Sequence, residues 1–335
     1  MTAPPQDAPL ALPILDAELE ARLRRRLTEV EEALQRHVVS EAPFVTEAAR
    51  HLLQAGGKRF RPLLVLLAAE TGDPTREDLV TASCVVELTH LASLYHDDVM
   101  DEADLRRGAE SANARWDNLV AILTGDYLFA KSSELTADLG ADAVRVQAVT
   151  FRRLVEGQIL ETLGPQGDED PLEHYLRVVA GKTGSLIATS AFYGARFGGA
   201  SVKVEEALTA YGEKVGVAFQ LSDDILDIAS ESAESGKTPG TDLREGVPTL
   251  PVLLAQRSTD PADARLKELL AGDLTEDGPH AEALDLLRAH PAMDEARAYV
   301  VALAREAREL LTVLPEGPVR AALDAFADVV ATRNA

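Results

Sequence analysis

Apolar residues recur at three- and four-residue spacing through most of the chain. Leu19, Leu23, Leu27, Val30 and Leu34 form one such stripe, and Val85, Leu88, Ala92, Tyr95 and Val99 form another. That period turns one face of each segment toward a core and predicts amphipathic helices. No convincing run alternates apolar with polar residues, and no Asn-Gly or Asp-Gly pair sits between such runs, so strands are not expected. Breaks fall at Gly56-Gly57, at Gly164 to Pro171 and at Ser230 to Pro248, while residues 258–280 are largely polar and acidic. Residues 1–13 carry Pro4, Pro5, Pro9 and Pro13 and read as a loose N-terminal tail. No composition shift or fixed-period repeat marks a boundary, so the pattern predicts one all-α domain over residues 1–335.

Composition narrows the function. With 46% apolar residues the chain can bury a full core. Its formal net charge of −23 argues against a nucleic-acid partner, which needs a basic footprint. Cys84 is the single cysteine, so no intramolecular disulfide can form, and its neighbours Val85 and Val86 suggest a buried thiol. Residues 1–16 lack the basic and long apolar stretches of a secretory signal, and runs such as Leu63 to Ala69 are too short to span a bilayer. A reducing cytoplasm is the expected compartment.

Some of the acidic residues are clustered. Asp97-Asp98-Val99-Met100-Asp101 and Asp223-Asp224-Ile225-Leu226-Asp227 each follow an apolar helical stretch. Residues three and four apart share a helix face, so each cluster aims two or three carboxylates in one direction. Stacked like charges cost stability unless a cation compensates. Hard oxygen donors suit Mg²⁺, which takes one or two carboxylates together with water and phosphate oxygens. A single such cluster is as readily a solvated acidic helix end; two make a metal-diphosphate site the better reading.

Cations accompany the acids. Gly56-Gly57-Lys58-Arg59-Phe60-Arg61-Pro62 places three after a glycine pair, and Arg106-Arg107-Gly108 closely follows the first cluster. Arginine forks and lysine point charges are the usual partners of diphosphate. Alone, either run reads as a helix-end charge cluster.

Taken together, GGKRFRP, HDDVMDEADLRRG, Gly125-Asp126-Tyr127-Leu128, Lys182-Thr183-Gly184, FQLSDDILD and the stretch from Gly240 to Pro251 resemble the trans-isoprenyl diphosphate synthases, the polyprenyl synthetase family. They keep that family's order over roughly residues 50–255. The resemblance implies a bundle of long helices around a deep central cavity, a homodimer, and three Mg²⁺ per active site. It implies a reaction in which an allylic diphosphate ionises, isopentenyl diphosphate attacks the cation and a proton is lost. By position, Asp97, Asp101 and Asp223 would bind metal, with Asp98, Asp224 and Asp227 supporting. Lys58, Arg61, His90 and Arg107 would hold isopentenyl diphosphate. Arg106, Lys182, Thr183, Gln220 and Lys237 would hold the allylic diphosphate. Product release would involve at most a transient membrane contact. One departure is Val247, where the family often carries lysine.

A class I terpene cyclase is a rival, but its second metal site usually reads Asn/Ser/Glu, and only 4% of residues here are aromatic. A non-catalytic partner subunit would tend to lack the aspartate clusters. For product length, Ser93 and Ala92 lie four and five residues before Asp97, and Thr89 a turn further. In this family bulky aromatics at the first two positions stop growth early. Small residues predict a product beyond twenty carbons, in the C35–C50 range, with the floor deeper, at Leu135 or Phe151. A short-chain farnesyl or geranylgeranyl product is the alternative.

Overall fold

A computed structural model describes residues 10, 12, 14–230 and 239–332. Its helices run α1 (Ala17–His37), α2 (Pro43–Gln54), α3 (Phe60–Ala69), α4 (Asp78–Met100), α5 (Ala112–Arg115), α6 (Asn118–Asp138), α7 (Ala141–Leu163) and α8 (Pro171–Val179). After a π-helical turn at Ala180–Gly184 come α9 (Ser185–Gly198), α10 (Val202–Ala229), α11 (Thr241–Arg244), α12 (Leu250–Gln256), α13 (Ala264–Leu270), α14 (Asp277–Ala289), α15 (Ala292–Leu310) and α16 (Pro318–Thr332). The all-α expectation holds.

The residues gather into two compact units. The first takes the described residues up to Phe151, with 186–212 and 311–325; the second takes 152–185, 213–310 and the chain from Phe326. Membership interleaves along the chain, so no single cut separates them and no composition shift marks one.

In the first unit α4 packs most extensively on α6 and α3. Every residue of α3 from Pro62 to Ala69 is buried, which explains its unbroken apolar run. Glycines let helices approach closely: a Cβ on Gly194 of α9 would lie 2.1 Å from the Val65 carbonyl of α3. Aspartates cap helices where a turn must become a helix, Asp16 accepting from Leu19 N at 2.8 Å and Asp117 from Val120 N at 2.7 Å. Cys84 is buried, as expected, and burial pushes its thiol up to about 12.

One small sheet departs from the strand-free expectation. β1 (Leu105–Arg106) pairs antiparallel with β2 (Ala109–Glu110). Arg107 and Gly108 form the turn with φ of 56° and 78°, both in the left-handed region that two-residue hairpins require. An arginine at the first turn position hides this hairpin from a search for Asn-Gly or Asp-Gly.

In the second unit Pro171 opens α8 behind Asp170, whose carboxylate accepts from Leu172 N at 3.0 Å. α12 packs on α15 and α8. The segment Ser230 to Pro248 is not all loop, since α11 forms within it, and residues 258–280 contain α13. Residues 231–238, together with most of the Pro-rich N-terminal segment, lie outside the described residues. No described helix is long and apolar enough to cross a membrane.

Candidate active site

The first aspartate cluster ends α4. Asp101 is its C-cap residue, with an exposed side chain, and Asp97 one turn earlier is half-buried. Asp98 is fully buried. Its Oδ1 accepts from Arg106 Nε at 2.5 Å, and Arg106 Nη2 lies 4.0 Å from Asp101 Oδ2. Its Oδ2 is buried without a hydrogen-bond partner. Burial raises the Asp98 pKa against the lowering effect of Arg106.

Beside it lies a cationic group. His90 stands among Arg61, Arg107, Arg59 and Arg106; burial and then these charges hold its pKa well below the ordinary value, so the imidazole is neutral at pH 7. Burial pushes Arg61 down to about 10, Glu87 opposing and Arg107 adding to the fall. Its Nε is buried without a hydrogen-bond partner. Arg107, reaching back from the hairpin turn, donates to the carbonyls of Gly56 and, at 3.2 Å, Leu52. A Cβ on Gly57 would lie 2.9 Å from that guanidinium, which is why glycine precedes the cations. Lys58 is exposed.

Arg59, between Lys58 and Arg61, does something else. Its guanidinium is buried, donates to Glu31, to Glu87 at 2.9 Å and to the Leu53 carbonyl at 2.9 Å. It is committed to holding α1, α2 and α4 together. Sequence reasoning missed Glu87 and Glu31, although an acid inside the apolar run Cys84 to Leu91 is the signal of a buried ion pair.

The second cluster lies in the last turns of α10. Asp223 and Asp227 are half-buried and Asp224 is 5% exposed. Gln220 Nε2 donates to Asp224 Oδ1 at 3.0 Å, and the hydroxyl of Tyr175 on α8 donates to Oδ2. Burial pushes the Asp224 carboxyl up to about 6, these two hydrogen bonds opposing, Asp223 and Asp227 adding to the rise. Asp227 accepts from Thr241 N at 3.2 Å and Asp242 N at 3.1 Å, so this carboxylate also caps α11.

The π-helical turn carries Lys182 and Thr183. Thr183 Oγ1 donates to Gln220 Oε1 at 3.1 Å, while Lys182 Nζ lies 2.6 Å from Glu161 of α7. A Cβ on Gly157 would sit 2.7 Å from Lys182 N, and one on Gly181 2.8 Å from the Arg153 carbonyl, so a glycine on each side lets the turn seat on α7. Such π insertions recur at functional sites. Lys237 lies outside the described residues.

The three residues tied to product length separate. Ser93 is half-buried on the stripe of α4 that includes His90, Leu94 and Asp97. Ala92 and Thr89 are fully buried. Thr89 Oγ1 lies 2.8 Å from Ser132 Oγ of α6 and accepts from Gln147 Nε2 at 2.6 Å. Ala92 lies between Thr89 and His96, whose Nε2 is 3.0 Å from the Ile122 carbonyl of α6. Leu135 is buried, and the Phe151 ring lies 4.5 Å from that of Phe129.

Comparison with known proteins identifies the family. The family model described as Polyprenyl synthetase matches residues 42–287. Nonaprenyl diphosphate synthase of Mycobacterium tuberculosis is 48% identical, over 95% of this chain and 96% of that protein. The geranylgeranyl pyrophosphate synthase of Corynebacterium glutamicum, crystallised with calcium and isoprenyl diphosphate, is 46% identical with a TM-score of 0.88, covering 96% of this chain and 99% of that one. A decaprenyl diphosphate synthase of Rhodobacter capsulatus is 36% identical with a TM-score of 0.86, covering 94% and 98%. The chain belongs to the polyprenyl synthetase family and is a transferase.

Proposed function

We propose that this enzyme condenses isopentenyl diphosphate head-to-tail onto an allylic diphosphate, with Mg²⁺, and releases a linear trans-polyprenyl diphosphate longer than twenty carbons. The observation that carries the reading is the repeated arrangement of two aspartates flanking a buried middle aspartate on α4 and again on α10. The donors are hard oxygens, and Asp98 Oδ2 is buried with no hydrogen-bond partner, which fits a site completed by a cation. Among the described residues no group of three or more His, Cys, Asp or Glu side chains stands assembled for a metal. Asp97 and Asp101 at the end of α4, and Asp223 and Asp227 on α10, would be the metal ligands. Bound Mg²⁺ would neutralise the charge that builds on the departing diphosphate.

The chain's own residues supply the rest. Arg106, Lys182, Thr183 and Gln220 bind the allylic diphosphate, and Lys182, Asp98 and Asp224 support departure of the leaving group. Lys58, Arg61, His90 and Arg107 bind isopentenyl diphosphate; neutral His90 contributes hydrogen bonding without further charge. No side chain is assigned as general base, and the released diphosphate takes the proton. A product near C45 is supported by the nonaprenyl relative and by the small side chains ahead of Asp97. The geranylgeranyl relative supports a second reading, a twenty-carbon product. We place the enzyme in the cytoplasm as a homodimer, on the exposed apolar stripe Leu119, Ile122 and Leu123 of α6.

Incubation with isopentenyl diphosphate and a set of allylic primers, followed by product sizing, tests the reaction and its length. Chelation, or Asp97→Ala, is expected to lower the rate by several orders of magnitude. Full activity in excess chelator would sink the metal reading.

A further inference from the structure

Three elements of the second unit meet in one hydrogen-bonded chain. Thr183 Oγ1 on the π-helical turn donates to Gln220 Oε1 at 3.1 Å. Gln220 Nε2 donates to Asp224 Oδ1 at 3.0 Å on α10. Tyr175 on α8 donates to Asp224 Oδ2. Each member but Thr183 fixes the next: an amide that accepts through its oxygen must donate through its nitrogen, so Gln220 has one orientation. Asp224 has a donor on each oxygen and a single rotamer follows. Tyr175 is the one member that no functional role has claimed. Its ring is buried, and its hydroxyl has an acidic partner 49 residues away in the chain.

We propose that Tyr175 is a positioning residue for the allylic half-site: through Asp224 and Gln220 it holds Thr183 and the flanking aspartates in the geometry that receives metal and diphosphate together. The inference rests on the metal reading of Asp223 above. Buried polar chains of this kind act as a unit, since removing one donor frees every rotamer beyond it. Outer partners that orient ligating side chains influence metal affinity in the same way. The effect is confined to one substrate. Isopentenyl diphosphate is assigned to a different set of residues, Lys58, Arg61, His90 and Arg107, so its KM should not move.

The test is Tyr175→Phe, which removes one oxygen and keeps the ring. The thermal midpoint is measured with and without Mg²⁺ plus inorganic pyrophosphate, and KM is measured for each substrate. The expected result is a smaller ligand-induced midpoint shift and an allylic KM raised about tenfold, the size of a lost hydrogen bond to a charged group, with isopentenyl KM unchanged. A variant that melts early without ligand but gains the wild-type shift and keeps the wild-type allylic KM would overturn the inference and make Tyr175 a packing residue. Asp223→Ala is the control. If it abolishes the ligand-induced shift while Tyr175→Phe leaves the shift whole, positioning fails and the metal site stands. If Asp223→Ala keeps the shift, the metal reading fails and takes this inference with it.

Discussion

Neighbouring residues of one run can have opposite duties. Arg59 and Arg61 are two apart, yet Arg59 is consumed by Glu31 and Glu87, whereas Arg61 Nε is buried with no hydrogen-bond partner. Arg59→Met strands Glu87, which is 2% exposed, and is expected to destabilise by about 3–5 kcal/mol with little change in isopentenyl KM. Arg61→Ala is expected to do the reverse, raising isopentenyl KM about tenfold or more at nearly constant thermal midpoint. A rise in allylic KM alone would show the two half-sites assigned backwards. Asp224 makes a pH prediction. Its folded pKa of about 6 lies above the ordinary carboxylate value of 3.8, so the folded chain binds the extra proton between these limits. The stability that this proton gives is full below pH 4 and lost as pH rises through 6. At about 1.4 kcal/mol for each tenfold change in proton affinity, ionised Asp224 costs a few kcal/mol at pH 8. In chelator, Asp224→Asn should therefore melt above wild type at pH 8, keep about half of that advantage at pH 5 and lose it below pH 4; an unchanged difference from pH 8 to pH 4 would refute the buried charge.

At the scale of elements, the π-helical turn depends on two glycines that touch across it. Gly157→Ala would drive a methyl to 2.7 Å from Lys182 N. Backbone cannot yield as a side-chain tip does, so the turn must shift. The expected outcome is a destabilisation of about 1–3 kcal/mol and a raised allylic KM, measured by denaturant melts and initial rates. What was legible in the sequence follows the range of each interaction. The helices were legible because their apolar period is local, and both aspartate clusters because four-residue spacing fixes a shared face. The hairpin at Arg107-Gly108 was not, since a non-glycine at φ 56° is held there by contacts of its side chain with Leu52 and Gly56, some fifty residues away. Tyr175 and Glu31 were invisible for the same reason: each acquires its meaning from a partner far along the chain. Asp227 was read as supporting the metal site, and its second duty, capping α11 across 14 residues, had no local sign.

Product length is a property of the whole molecule, and the structure sharpens how to read it. Growth needs room on the side of α4 that carries Asp97, within about 6 Å along the axis at Ser93, four residues away. Ser93 is half-buried on that stripe, whereas Ala92, one residue earlier, lies between Thr89 and His96, both of which touch α6. Ala92 is fully buried, and a Cβ on Gly125 of α6 would stand 3.1 Å from its carbonyl, so α4 and α6 pack closely at this level. The two positions that sequence treats alike should therefore give different answers. Ala92→Phe overpacks the contact between α4 and α6 and is expected to cost about 1–3 kcal/mol of stability. Ser93→Phe places its ring on the open stripe and is expected to leave the thermal midpoint nearly unchanged, keep the first condensation, and shift the products toward fifteen and twenty carbons. Product sizing and melting of both variants separate these outcomes. If Ser93→Phe leaves the distribution untouched while Ala92→Phe shortens it without loss of stability, the growing tail follows the α6 side of α4. If the wild-type enzyme stops at fifteen or twenty carbons with ample isopentenyl diphosphate, small residues ahead of Asp97 do not open the path, and the twenty-carbon reading replaces the long-chain one.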